Sequence, residues 1–518
     1  MTFAAPRPTA RFRLHVSRGE AIALLAVLAL GLIHLPHPFA WDQSLFTLGA
    51  ERLAAGGVLY RDFWDVKQPG IYWFYEVAGR LFGFNEPGIH FFELLWMMAF
   101  AVTLLVTLRR RWGPGPAATL APLFVVGAFY AGATDYYLTQ VEGLVGFPLY
   151  LTLWFATRGA DDEPRAWRAF ASGLCGAVVL LFKLVFLPIV GVFWVLALVD
   201  VARRRGLARA LAAVALPVAL GLFLPAVAFL AYFARLHLLG TLGWTYFTYP
   251  AFLLAQIHGG QTARLLEGLQ RFLLRFSPLV GLATVGAGAT FGRRDALGIG
   301  LLVWLAAGFP VILIQRWSGW PYHELLLLAP LGVLAAAGGG ALASFLDRPG
   351  AEGRAARRLA TAGLAALFTG LIGFAAAKGV LLASNGFALT AASRAAYQKR
   401  ASGLYQGISR DAALLAAPGR RPGTVFSIED PIVYRLAGRA PAPAFRGVLF
   451  PMALGAAEWA ALTERLACAP PAFILVEWRY LPLVTGAAPR AASLAACLAS
   501  RYRVAFTSER GTWYERVR

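Results

Sequence analysis

The sequence predicts an α-helical polytopic membrane protein of about eleven spanning helices, followed by a small α/β domain outside the membrane. Three observations carry this reading. The 518 residues are 58% hydrophobic and 14% charged, with a mean hydropathy of +0.61, too apolar for a water-soluble domain. The arginines fall in short clusters between apolar runs. After about residue 383 the pattern changes to short strands alternating with helices.

Apolar runs long enough to span begin near residues 20, 89, 117, 141, 168, 184, 210, 276, 296, 324 and 359. The segments near 168 and 184 share one run, so the count is open by one there. With the N-terminus inside, the cytoplasmic loops carry Arg109–Arg111, Arg158/Arg165/Arg168, Arg203–Arg205, Arg293/Arg294 and Arg354/Arg357/Arg358. Of the short opposite loops, ATDYYLTQ has no basic residue and RWSGWPYHE has Arg316 alone. This is the positive-inside bias, and it orients the chain N-in, C-out.

The predicted organisation is a cytoplasmic segment 1–19, a membrane domain 20–382 and an outer α/β domain 383–518, with long outer loops at 39–88 and 234–275. In the second loop, LLEGLQRFLLRF repeats its apolar positions at helical spacing, as interfacial helices do. In the outer domain, TVFSIED and FILVEW read as buried strands, and AAEWAALTERLA and RAASLAACLASRY as helices. The first apolar run follows four arginines but ends in HLPHPFAWDQ without a small-residue cleavage site, so it reads as a retained first span.

A net charge of +21 and a pI near 10.5 admit a nucleic-acid binder, but scattered clusters form no single basic face. Three cysteines, Cys175, Cys468 and Cys497, occur without CxxC or Cys/His spacing, which argues against zinc; a Cys468–Cys497 disulfide is not expected. No Asp-x-Asp lies in the outer loops, so no metal or other cofactor is indicated.

The charges that remain gather in few places. LYRDFWDVKQPGIYWFY, residues 59–75, sets Arg61, Asp62, Asp65 and Lys67 among seven aromatics. Lys67 is one of only four lysines among 48 basic residues, and a compact ammonium suits a phosphate oxygen; a local ion pair with Asp65 or Asp62 is the plainer reading. Asp42 directly follows the first span and opens a short amphipathic pattern, where it is equally suited to cap that helix. Asp135 in ATDYY and Glu142 in TQVEG are competing acids, each otherwise a loop charge or cap. Lys183 lies in an apolar run, where a cation must pair, snorkel or serve a function. His323, beside Tyr322, Trp320 and Trp317, is either an interfacial anchor or a contact for phosphate or sugar.

Taken in order, these motifs resemble the C-type integral-membrane glycosyltransferases (GT-C), most closely the bacterial branch related to protein O-mannosyltransferases and lipid A aminoarabinose transferases. Asp42-Gln43 stands where that family has an acidic pair after the first span. Tyr60 through Tyr75 matches its YxxKPP-like segment, with Lys67-Gln68-Pro69-Gly70 for Lys-Pro-Pro. TQVEGLVGFPLYLTLW, GLCGAVVLLFKLVFLPIVG and WPYHELLLLAPLGVLAA continue the likeness over about residues 20 to 345. Two departures stand out: Gln43 replaces the second acid, and the turn after Lys67 is altered.

The resemblance implies a polytopic inner-membrane enzyme that moves a sugar from a polyprenyl-phosphate donor to an envelope lipid or glycan acceptor on the periplasmic face. In that reading Asp42 is the base, with Glu142 or Asp135 the second acid. Lys67, with Arg61, Asp65, Lys183, Arg316, Tyr322 and His323, meets the phosphate or donor. The rival is a glycolipid flippase or transporter, against which stand the absence of an internal repeat and the gathering of polar residues on one side. A purely structural or assembly protein would leave Asp42 and Lys67 unexplained.

Overall fold

The computed structural model describes residues 16–157, 164–255, 261–315, 320–346, 351–428, 430–442, 455–485 and 488–517. The first span, α1, covers Arg18–Leu32, and Ser17 and Glu20 close a capping box at its start. Next come α2 (Asp42–Ala54), α3 (Pro69–Phe82) and α4 (Glu86–Trp112), so the loop predicted over 39–88 holds two helices packed on each other. The membrane domain continues through α5 (Pro116–Gly132), α6 (Val141–Ala156), α7 (Ala166–Phe182), α8 (Leu184–Arg205) and α9 (Leu207–Arg235). Pro122 removes an amide from α5, and the ladder slips into a π turn over Leu123–Gly127.

Between α9 and the amphipathic helix α10 (Gln261–Arg275) run short turns at Leu239–Gly243 and Tyr249–Ala255. Then follow α11 (Ser277–Gly292), α12 (Ala296–Ile314), α13 (Pro321–Leu346) and α14 (Ala351–Ala383). Helix α10 buries Leu265 and Phe272 and turns Leu266 and Leu274 outward, as its apolar spacing predicts.

Every apolar run carries a helix, but the helices are unequal. Among the described residues five are long and apolar enough to cross a membrane alone: α4, α8, α9, α12 and α13. Helix α10 joins α11 at an 80° bend. Helices α1, α5, α6 and α7 are shorter, while α14 runs 33 residues; α1, at 15 residues, rises only about 22 Å against a hydrocarbon core of about 30 Å. The run shared by α7 and α8 breaks at Lys183, whose backbone is extended (φ −164°, ψ 116°). The break separates the two segments that the apolar pattern begins near 168 and 184.

Past Ala383 the chain forms α15 (Ala391–Ala401) and α16 (Gly403–Leu415) and then, among the described residues, a four-stranded sheet with three helices of five residues or more. In chain order these are β1 (Val425–Ile428), α17 (Ile432–Leu436), α18 (Ala456–Cys468), β2 (Phe473–Glu477), α19 (Ala492–Arg501), β3 (Tyr502–Thr507) and β4 (Gly511–Arg516). Strand order is β1-β2-β4-β3; β1 and β2 are parallel and the other pairs antiparallel. Strands β1 and β2 are buried along their whole length, as their unbroken apolar runs require. All three cysteines are free.

One apolar core runs from Val27 of α1 into Phe426, Ile474 and Trp513 of the sheet. Polar contacts tie the two parts together. The Tyr405 hydroxyl accepts from the Phe39 amide at 2.9 Å and donates to Glu86 at 2.6 Å, and Arg435 meets Glu51 at 3.0 Å.

Candidate active site

Asp42 sits at the first position of α2, buried, beneath the C-terminal domain. The preceding residue, Trp41, is held at φ 46° and ψ −100°, a conformation an L-residue keeps only under external constraint. Two groups supply that constraint: Asp430 accepts the Trp41 amide at 2.5 Å, and the Arg479 guanidinium lies 4.9 Å from the indole centroid. The Asp42 carboxylate does not cap its helix. Its Oδ2 accepts from Lys67 Nζ at 3.0 Å and from the Tyr322 hydroxyl at 2.8 Å. Oδ1 has no donor among the described residues and keeps some contact with solvent.

Lys67 stands in a loop that its neighbours shape. The Tyr60 hydroxyl donates to the Lys67 carbonyl at 2.7 Å and meets the Tyr246 hydroxyl at 2.9 Å, while Trp64 donates to Thr245 at 3.0 Å. The aromatics of 59–75 therefore clamp the segment around Trp244–Thr248, and the two long loops meet here. Asp65 receives the Tyr72 hydroxyl at 2.7 Å and the Lys67 amide at 3.4 Å. Burial raises the Asp65 pKa against the pull of Lys67 and Tyr72. Burial opposes the Lys67 charge, but Asp42, Asp65 and Glu142 together outweigh it and raise the ammonium's pKa. The altered turn has a steric reason. Pro69 takes the start of α3, and at Gly70 a Cβ would come within 2.6 Å of the Leu181 carbonyl of α7.

Beside this pair lies a second. Glu142, in the first turn of α6, meets Lys183 Nζ at 2.6 Å and His323 Nε2 at 3.8 Å. The helix break at Lys183 brings its ammonium to that carboxylate, so the lysine pairs rather than snorkels. Gln43 explains its own departure from an acid. Its carbonyl accepts the Ala40 amide at 2.9 Å and its amide donates to the Leu138 carbonyl, a donation a carboxylate cannot make.

The structure thus gathers Asp42, Asp65, Lys67, Glu142, Lys183, Tyr322 and His323 at one end of the bundle. It does not bring in Arg61 or Asp135. The Arg61 guanidinium is exposed and pairs with Asp62 at 3.0 Å, because its loop turns it outward. Asp135 pairs with His37 at 2.6 Å, and His37 in turn meets the Tyr397 hydroxyl at 3.2 Å, away from the cluster. Arg316 lies outside the described residues.

Sequence reasoning missed two buried acids. Asp430 holds Trp41, and Glu93 of α4 accepts the Thr139 amide at 2.6 Å, fixing the loop before Glu142. Glu324, quoted with His323 but given no role, is buried against Gly268 of α10, and its Oε2 has no hydrogen-bond partner. Among the described residues no group of three or more His, Cys, Asp or Glu side chains is arranged to hold a metal ion.

Chemically, the cluster sets a carboxylate with an unused oxygen beside two ammonium groups, one on Asp42 and one on Glu142. Comparison with known proteins agrees with the fold. Residues 66–229 match the family described as dolichyl-phosphate-mannose-protein mannosyltransferase. The crystal structure of ArnT from Cupriavidus metallidurans bound to undecaprenyl phosphate superposes with a TM-score of 0.59 at 16% identity, covering 96% of this chain and 97% of that one. The archaeal oligosaccharyltransferase AglB from Archaeoglobus fulgidus, in complex with an inhibitory peptide and a dolichol-phosphate, gives a TM-score of 0.50 at 12% identity, covering 97% and 74%. Comparison with curated protein sequences gives no match. The chain has the fold of the C-type membrane glycosyltransferases, as its motifs predicted.

Proposed function

We propose that the protein is a membrane glycosyltransferase that moves a sugar from a polyprenyl-phosphate donor to an envelope lipid or polysaccharide acceptor, with inversion. The observation that carries the reading is the contact of Asp42 with Lys67 and Tyr322 through one carboxylate oxygen only. In the reaction the acceptor hydroxyl oxygen bonds to the anomeric carbon as the bond to the donor phosphate breaks. Asp42 Oδ1 takes the hydroxyl proton, and the polyprenyl phosphate leaves with one more negative charge. Lys67 and Lys183 sit where that growing charge is met by fixed cations, which lowers the barrier more than it strengthens donor binding. Tyr322 and the lysine hold the base in place. Glu142 keeps the Lys183 ammonium aimed into the site.

The proposed setting is a bacterial inner membrane, with the cluster and C-terminal domain on the periplasmic side. The test is mass spectrometry of envelope glycolipids and polysaccharides from a deletion strain complemented with wild type or with Asp42→Asn. A glycan short by one sugar, restored by wild type alone, supports the transferase and names its product. Equal rescue by Asp42→Asn removes Asp42 as the base. Surface loss of a whole glycan with its precursor retained inside would contradict a transferase.

A further inference from the structure

The end of the bundle opposite the acid–lysine cluster holds a second concave site. Helix α4 starts at Glu86, bonded to Tyr405 near the cluster, and runs 27 residues to Trp112, about 40 Å away along its axis. There a cavity of about 760 Å³ opens between the α4–α5 turn, the end of α8, the α11–α12 turn and the far half of α13. Its walls include Ala289, Ala337, Gly340 and Ala341, side chains too small to fill the gap between the helices.

The rim is basic. Arg110, Arg111, Arg204, Arg293 and Arg294 line it against two acids among the described residues, Asp200 and Asp295. Both acids are already engaged. Asp295 meets Arg111 at 2.6 Å and the Trp112 indole at 3.1 Å, and caps α12 through the Gly298 amide at 3.0 Å. Asp200 pairs with Arg204 at 2.8 Å. Arg293 and Arg294 have no carboxylate partner among the described residues. Phe291, 69% exposed, stands beside them at the end of α11.

A positive bias in membrane loops accounts for arginines near this surface. It does not account for Arg293 and Arg294 standing without a carboxylate partner, among the described residues, beside a cavity whose described acids are already paired. Guanidinium groups match phosphate oxygens in geometry and charge, and basic pockets between membrane helices suit anionic head groups. We propose that this cavity binds a phosphate group, carried either by the head group of an anionic lipid lying along Phe291 or by a small soluble phosphate. The site is independent of the transfer chemistry at the other end.

The experiment uses the full chain, delipidated in neutral detergent, and follows thermal unfolding at fixed ionic strength. Phosphatidylglycerol, phosphatidylcholine and inorganic phosphate are added separately to wild type and to the Arg293→Gln/Arg294→Gln double variant. The expected result is a saturable rise in Tm of about 3 °C or more with phosphatidylglycerol or phosphate, absent with phosphatidylcholine and at least halved in the variant. A rise with phosphatidylglycerol alone assigns a lipid source, and one with phosphate alone a soluble source. No rise with either, an equal rise with phosphatidylcholine, or an undiminished rise in the variant overturns the proposal. Equal melting of both proteins in plain detergent shows the variant folded. Should it not fold, Arg204→Gln, on the exposed last turn of α8, carries the same comparison.

Discussion

Two acid-centred clusters lie on the same end of this protein, built from similar parts. In one, Asp42 takes a lysine and a tyrosine; in the other, Asp135 takes a histidine that is itself bonded to a tyrosine. They differ in what is left over. Asp42 spends one oxygen on both partners, and a second acid–lysine pair, Glu142 with Lys183, stands close by. Asp135 has no such neighbouring pair, and its chain of bonds through His37 ends on Tyr397 of α15, the first helix after α14. Burial forces the His37 imidazole toward its neutral form, so Nε2–H donates to Asp135 while Nδ1 accepts from Tyr397. In the proposed function the first cluster does the chemistry, whereas the second fastens two parts of the chain. An acid at a membrane surface gains meaning only from its partners.

The sharpest way to break this comparison is to neutralise Asp42. Asp42→Asn keeps the shape and should lower transfer by about a hundred- to ten-thousand-fold with the fold intact, measured as turnover in vesicles beside thermal melting. Lys67→Met should be costly in both respects. Transfer falls by about a hundredfold or more, and stability falls by about 3–5 kcal/mol because Asp42 is left buried without its cation.

Asp430 gives an intermediate test of how the C-terminal domain holds the base. Asp430→Ala strands the Trp41 amide and should cost about 1–3 kcal/mol together with a fall in kcat. Asp430→Asn keeps an acceptor and should restore most of both. The folded Asp430 carboxyl is pushed by burial up to about 6, against an ordinary value of 3.8. Between those pH values the folded chain holds a proton that the unfolded chain has lost. This group's contribution to stability therefore grows as pH falls from about 6 toward 4, and Asp430→Asn should abolish that part of the pH dependence.

Asp135→Asn should weaken the His37 fastening and lower Tm while leaving the turnover of the folded protein within about threefold. Arg61→Ala, with its exposed partner, should change turnover by less than about twofold.

Much of the site was legible because charge is scarce in this chain. A carboxylate or ammonium in an apolar sequence needs a partner, and Asp42, Lys67, Glu142 and Lys183 turn out to be one another's partners. The choice between Glu142 and Asp135 was not legible. It rests on where α6 begins and on His37, which is 98 residues away from Asp135 in the chain. Asp430 could not be found from sequence at all, since its meaning lies in an amide 389 residues earlier. The fold shows the same limit. Strands β1 and β2 announced themselves as buried apolar runs, whereas β3, largely uncovered and with a bulge between Val504 and Phe506, gave no strand signal and overlaps the predicted helix only at Tyr502. The break at Lys183 falls between the segments begun near 168 and 184, although hydropathy, which averages over such a break, left their count open by one.

The most direct test of the central claim is a side-by-side transfer assay of Asp42→Asn and Asp135→Asn, each purified and shown folded, with a polyprenyl-phosphate-linked sugar in vesicles. The account predicts that Asp42→Asn loses transfer by at least about a hundredfold while Asp135→Asn stays within about threefold of wild type. Equal losses in the two, or a larger loss in Asp135→Asn, would contradict it.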